Sequence, residues 1–482
     1  MFDVRKIAHN TIIQIIGKGA NVLIGVLAIS YLTRYLSPSG FGQYITVLTF
    51  LQIFGIFLDF GLYIVLLREI SRPNVDLPTH SFGKASRNFI FSNVITLRIV
   101  SGIAFFIVAP MIALFFPYPG IVKWGIALTS LAFFFNSMIQ VYSAIFQKEM
   151  KMAKVVIAEA IGKIFFLSLI ILFIFWQGNL LLILMANNIN SIIFFVILAL
   201  LARKYVRYRW TIDLKYWVHF LSLAWPIAIT TILNLIYFKA DTLILSVFQP
   251  AAHVGYYGAP YKILEVITTL PHLILGLVLP VFTFYWIKRD KENFKKTFQK
   301  IFDLFVVLTF LMIVLFIAEA KGIINFIAGP EYPVSVGILR ILIWPTALIF
   351  FSTLFNYGII AVEKQKQTIK YFLITALIAL IGYLIFIPRY SYYGAAYMTL
   401  MAELLMVVFA YYLLQKYSQW KINFKVLIKV LIISALSYFL LDVLKLNFIV
   451  ELMIGGGTYF VLLVWFKVLS KDLMKDVLNF RG

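Results

Sequence analysis

In a chain of 482 residues, 62% are apolar, only 13% are charged and none is cysteine, which excludes disulfides and thiolate metal sites. Apolar runs of about 20 residues recur, the length a helix needs to cross a bilayer, so the expected class is an all-α polytopic membrane protein. The net charge of +22 does not point to nucleic acid, because the basic residues flank apolar runs and no soluble basic domain exists to carry them.

Fourteen spans are predicted, over residues 11–36, 42–67, 88–115, 121–147, 155–176, 180–202, 217–248, 256–285, 301–319, 338–361, 369–387, 393–415, 426–443 and 447–466. Between them, 31 Lys and Arg fall on the side that holds both termini and 5 on the other. The positive-inside rule makes the heavy side cytoplasmic, with both termini there and the chain in the cell (cytoplasmic) membrane. Span 1 lacks a small-residue cleavage site after its charged start, so it is expected to remain as a helix.

Taken in order, span 1 carries Lys18 at mid-depth and Arg34 near its outer end, where a long side chain can snorkel. A breaker-rich turn from Leu36 to Tyr44 leads into span 2, which holds Asp59. Arg68 to Arg87 is the longest polar segment, about twenty residues, too short for a nucleotide-binding or catalytic domain. Within it, Gly83-Lys84 is followed by Ala85 and Pro78 stands where a phosphate-binding loop needs its first Gly. The five His residues show no zinc spacing, so no cofactor or metal is expected.

Span 3 carries Arg98 and span 4 carries Asn136 and Gln140. In span 5, Glu159 and Lys163 are spaced i, i+4 and can neutralise each other. Span 6 holds Asn187, Asn188, Asn190 and Ser191; Asn187, Asn190 and Ser191 share one helical face, suited to a hydroxyl-rich ligand or to hydrogen bonds between helices. Span 7 has Pro226, Asn234, Lys239 and Asp241, and span 8 has Lys262 and Glu265 at i, i+3 with Pro271 and Pro280 beyond. Pro345 in span 10 joins these prolines as a bending point, and Glu403 lies in span 12.

A charge at mid-depth costs about 2.5–3.5 kcal/mol on insertion scales unless a cavity or partner receives it. Lys18 and Arg98 have no acid at helical spacing on their own span, so contact with an anionic ligand is the favoured expectation for both. Spans 1 to 6 hold Lys18, Arg34, Arg98 and Lys163 against Asp59 and Glu159, a cationic surplus that would attract phosphate or pyrophosphate. Lys239 is grouped with these candidate substrate contacts, while Asp59, Glu159, Asp241, Glu265 and Glu403 are assigned to coupling or charge pairing.

The turn from Gln249 to Tyr257 repeats the plan of the first hairpin, and Tyr256-Tyr257-Gly258-Ala259-Pro260-Tyr261 echoes Tyr392-Tyr393-Gly394-Ala395-Ala396-Tyr397. Six spans separate the first hairpin from the second, which predicts two pseudo-symmetric six-helix bundles in one orientation, residues 1–210 and 211–420, followed by two C-terminal helices and a tail in 421–482. The alternative is that Gly and Tyr simply favour interfacial turns.

The segment Asn10 to Arg72, with GKGANVLIGVLAISYLTRYLSPSGFGQY and then DFGLYIVLLREIS, resembles the opening of the Wzx-type polysaccharide-biosynthesis flippases of the multidrug/oligosaccharidyl-lipid/polysaccharide exporter superfamily. Phe220 to Thr230, Lys239 to Lys262, Gly329 to Leu342 and Ile387 to Tyr397 match in family order. The resemblance implies a non-enzymatic flippase that moves a polyprenyl-diphosphate-linked oligosaccharide to the outer leaflet by alternating access, driven by an ion gradient or membrane potential. It also implies membrane lipids, the lipid-linked oligosaccharide and a glycan polymerase or other export machinery as partners. The family's lipid II branch relies on arginines in its first spans, where this chain offers Lys18, Arg34 and Arg98. Competing readings are a cation-coupled multidrug exporter, disfavoured by Lys18 and the cationic surplus, and a membrane glycan polymerase, disfavoured by the short outer segments. A scaffold protein is the third, and it predicts that neutralising the mid-span charges has no effect.

Overall fold

The computed structural model describes residues 4–71, 87–444 and 447–468. Gly83-Lys84-Ala85, Pro78 and the tail beyond 468 therefore lie outside the described residues. Among those described there are sixteen α-helices, one short 3-10 helix and no strand. Twelve helices are long and apolar enough to cross a membrane.

Two of the twelve, Gly17–Phe54 and Gln365–Ser418, fold back on themselves, so each contributes to two crossings and the described residues account for the expected fourteen. In α1 (Val4–Phe54) the reversal is one residue, Ser37, at φ 57 and ψ 172, a conformation nearly reserved for glycine, with Pro38 next to it. The partners of α1 demonstrate the reversal. Its first leg meets α6 (Met152–Phe175), where Lys163 Nζ donates to Asn21 O at 3.4 Å, and its second meets α7 (Leu180–Ala202), where Tyr44 bonds Asn187. Helices α6 and α7 are themselves joined by the tight turn 176–179, so the two hairpins lie alongside each other.

The same device recurs in α14 (Thr368–Ser418), where Ser391 has φ 54 and ψ −135. There Tyr383 OH and Thr399 Oγ1 are 3.1 Å apart across 16 residues, a separation of about 24 Å along an unbroken helix.

Packing divides the chain into two units, residues 1–255 and 256–482, a boundary later than the 210/211 division read from repeats. The first unit contains α1, the short α2 (Ile56–Asp59), α3 (Leu62–Ser71), α4 (Arg87–Leu114), α5 (Gly120–Lys148), α6, α7 and α8 (Leu214–Phe248). Helix α8, which by sequence opens the second bundle, packs on α1, α3 and α4. Its core runs through Phe91, Val94, Val141, Ile145, Leu198 and Phe220. On α4, Ile103, Ile107 and Leu114 are exposed, as expected where the surrounding solvent is hydrocarbon.

The second unit takes in most of α9 (Ala251–Ile267), then α10 (Thr269–Ile287), α11 (Lys291–Ala318), α12 (Ala320–Ile327), α13 (Pro333–Ala361), α14, α15 (Lys425–Leu444) and α16 (Phe448–Trp465). Its core is aromatic: Phe298, Phe302 and Phe355 surround buried Trp420, with the Phe298 and Trp420 rings 4.7 Å apart. The two similar Tyr-Gly strings meet here, the rings of Tyr256 and Tyr392 lying 6.4 Å apart. The expected bends differ in kind. Helices α8 and α13 run through Pro226 and Pro345, whereas span 8 divides at Thr268, three residues before Pro271.

At the junction of α11 and α12, buried Glu319 shares a hydrogen bond with Glu451 of α16.

Candidate functional site

The second span is not one helix. Gly55 closes α1 and bonds its N–H to Leu51 O, and the four residues of α2 end at Asp59. Phe60 and Gly61 then adopt left-handed conformations, φ 43 and φ 72, before α3 begins. Glycine is required at 61 twice over, since a Cβ there would also stand 2.8 Å from Ile227 Cγ2 on α8. No proline marks the break, so the expected continuous span over 42–67 is corrected to two legs meeting at mid-span.

A broken helix leaves carbonyls without internal partners, and inside a membrane each must be met. Arg98 of α4 meets one: Nη1 donates to Leu58 O at 2.9 Å, while Nη2 donates to Asp59 Oδ1 at 2.7 Å and to Gln140 Oε1 at 3.3 Å. The arginine side chain is fully buried and its Nε has no hydrogen-bond partner among the described residues, whereas 29% of the Asp59 side chain stays accessible. Arg98, one of the two candidates for contact with an anionic ligand, is held here in an ion pair that also caps the broken helix. The accessible part of Asp59 borders a cavity of about 230 Å³, lined also by Gln52, Asn136, Ser137, Gln140 and Thr231.

Lys163 pairs with Glu159 at 3.0 Å, as their spacing predicts. The contact of Lys163 with Asn21 O brings this pair to the first leg of α1, three residues from Lys18. Lys18 is exposed and makes no ion pair or hydrogen bond among the described residues. Asn21 is buried with neither carboxamide atom partnered among the described residues, and its three-residue spacing from Lys18, the one mark it leaves in the sequence, puts both on one face. Arg34 is exposed three residues before the Ser37 turn, where snorkelling places it.

The polar face of span 6 is divided among neighbours. Asn187 bonds Tyr44 OH of α1 and Ser191 Oγ donates to Asn136 Oδ1 of α5, while Asn190 packs on α6, its Oδ1 2.7 Å from where a Cβ on Gly162 would stand. The strongest link comes from Asn188, left out of that face: Nδ2 donates to Leu128 O and Oδ1 accepts from Ala132 N, each at 3.0 Å. Further along the chain, Lys239 and Asp241 are buried in α8, Asp241 Oδ1 accepting from Thr242 N at 2.6 Å. In the second unit Lys262 and Glu265 pair at 2.7 Å, and Glu403 is buried in α14.

Residues 7–286 match the family described as "Polysaccharide biosynthesis protein". No curated protein matches the chain in sequence. Among solved structures, the lipid II flippase MurJ in an inward closed conformation is similar at a TM-score of 0.77 and 15% identity, over 96% of this chain and 99% of that one. An inward-facing MATE family multidrug resistance transporter of the MOP superfamily is similar at 0.61 and 12%, over 83% and 96%. An outward-facing MATE transporter of that superfamily reaches 0.56 and 14%, over 86% and 96%. At these identities the likeness establishes a shared multi-pass helical fold.

Proposed function

The chain belongs to the polysaccharide biosynthesis protein family, and from that premise we propose that it is a flippase carrying a polyprenyl-diphosphate-linked oligosaccharide from the cytoplasmic to the outer leaflet of the cell membrane. The observation that carries this reading is Lys18, a cation at mid-span of α1 that is exposed and without a partner among the described residues. A diphosphate is the kind of group that would neutralise it, and Lys163 of α6 and the Asn21 carboxamide of α1, unpartnered among the described residues, offer further donors. The likeness to the MurJ lipid II flippase over almost the whole chain supports a lipid-linked substrate. Asp59 and Arg98 serve as a positioning pair, holding the broken span beside the cavity that Asp59 borders.

Cation-coupled drug export needs a carboxylate free to bind the ion. Two of the mid-span acids of the first unit are engaged, Asp59 by Arg98 and Glu159 by Lys163. The termini would lie in the cytoplasm by the distribution of bases, and ion-gradient or membrane-potential energy would drive alternating access.

Lys18→Ala should reduce surface glycan at least about tenfold while the protein accumulates normally, since losing one mid-membrane charge contact is worth about 1.5–3 kcal/mol. Lys18→Arg should retain export. Lipid-linked oligosaccharide assayed by leaflet should then be trapped on the cytoplasmic side, and full surface glycan from Lys18→Ala would overturn the assignment.

A further inference from the structure

The link between α7 and α8 is an extended strap laid along α4. Its alternate backbone amides are each received by a side chain: Arg207 N by Asn88 Oδ1 at 3.0 Å, Arg209 N by Ser92 Oγ at 3.0 Å, Thr211 N by Thr96 Oγ1 at 3.5 Å and Asp213 N by Asn93 Oδ1 at 3.1 Å. An extended chain repeats every second residue and a helix about every fourth, so Asn88, Ser92 and Thr96 form one ridge that fits the strap's period. Ser92, Asn93 and Thr96 are buried, so α4 devotes polar positions at the start of a span to holding this segment.

Alternation sorts the strap's side chains. Arg207 and Arg209 fall on one side and Tyr208, Trp210 and Ile212 on the other, all five exposed. From Arg203 to Lys215 there are five cations and one acid, Asp213, whose carboxylate is occupied capping α8 through Tyr216 N. Arg207, Arg209 and Lys215 make no ion pair among the described residues.

Directly beyond the strap lies an apolar groove of about 510 Å³, lined by Phe60, Leu62, Leu97, Leu221 and Trp225 among others. Leu97 follows the strap's last anchor on α4, Thr96, and Leu221 is eight residues, about 12 Å, along α8 from the cap at Asp213. Exposed cations and aromatic rings on the strap, and an apolar groove whose Leu97 and Leu221 follow its anchors along α4 and α8, have the charge and polarity profile of one lipid molecule.

We propose that this groove is a seat for an anionic phospholipid of the surrounding leaflet, its phosphate held by Arg207, Arg209 and Lys215 and one acyl chain lying between α4 and α8. Charge complementarity chooses the occupant, since a zwitterionic lipid would leave the strap's surplus cations unmet. The site is separate from Lys18, and its test reads binding alone, so its failure leaves the flippase proposal standing and the reverse holds equally.

The test is native mass spectrometry of the purified chain released from phosphatidylglycerol or phosphatidylcholine nanodiscs. Arg207→Gln/Arg209→Gln should weaken phosphatidylglycerol retention about 30-fold, the effect of two juxtamembrane charges. Leu221→Trp, which fills the groove and keeps every charge, should lower retention as well. Equal retention by wild type and the double variant, or equal retention of phosphatidylcholine, would overturn the proposal. So would displacement of phosphatidylglycerol by polyprenyl phosphate with the same 30-fold loss in the variant, because the seat would then belong to the carrier lipid.

Discussion

Asp59→Asn is expected to destabilise the first unit by about 3 kcal/mol, the low end of the cost of stranding one member of a buried ion pair. The low end applies because Asp59 is partly accessible, whereas Arg98 is fully buried. The substitution keeps the shape and the oxygen that accepts from Nη2, and it removes only the charge that neutralises the guanidinium. Arg98 cannot shed its proton and has no second acid in contact, since its remaining partners are Leu58 O and Gln140 Oε1. Adding Arg98→Gln should recover most of the loss, because a neutral pair in the same place costs far less than a lone charge. Arg98→Gln alone should fall between, leaving Asp59 to the water its cavity can admit. Denaturant unfolding of the four proteins in detergent measures this directly, and strict additivity of the two single effects would show that the pair has no coupling.

The ordering of those variants follows from a contact that no local pattern in the sequence reveals. Glu159 with Lys163 and Lys262 with Glu265 are legible because helical spacing alone brings them together. Asp59 and Arg98 are 39 residues apart on different spans, and their meeting depends on how α2 breaks. That break carries no proline to mark it, and it is made by Gly55, Phe60 and Gly61 in the midst of an apolar run. The spans themselves were legible, since hydrocarbon imposes length and composition on every crossing. So were the hairpin tips at Ser37, at 249–250 and at Ser391, where breakers cluster. The partners of span 6 were only half legible: helical phase groups Asn187 with Ser191, but cannot tell which neighbour each will meet, nor that Asn188 makes the stronger clamp. The strap has no mark of its own in the sequence, because its order comes from side chains of α4 rather than from propensities of its own.

Gly42→Ala and Gly255→Ala are each expected to cost about 1–3 kcal/mol in the close approach of two hairpin tips, a fall in its population of roughly 5-fold to 150-fold. A Cβ on Gly42 would stand 1.7 Å from Ala251 O, and one on Gly255 would stand 1.9 Å from Pro38 O. Both obstacles are backbone carbonyls, which cannot swing aside as the end of a side chain can, so the tips themselves must separate. Neither glycine has positive φ, so the cost comes from space and not from backbone conformation. The neighbouring hydrogen bond between Tyr118 OH and Ser246 Oγ, 2.8 Å, would be strained by the same separation. Because the chain has no cysteine, spin labels placed through Ser39→Cys and His253→Cys report the tip distance without further substitutions. Either alanine should lengthen and broaden that distance and lower glycan export, whereas Gly19→Ala and Gly276→Ala, where a Cβ meets nothing within 4 Å, should leave both as in the wild type. If the distance and export of Gly42→Ala matched those of the Gly19→Ala control, the contact of the two tips would be incidental to transport.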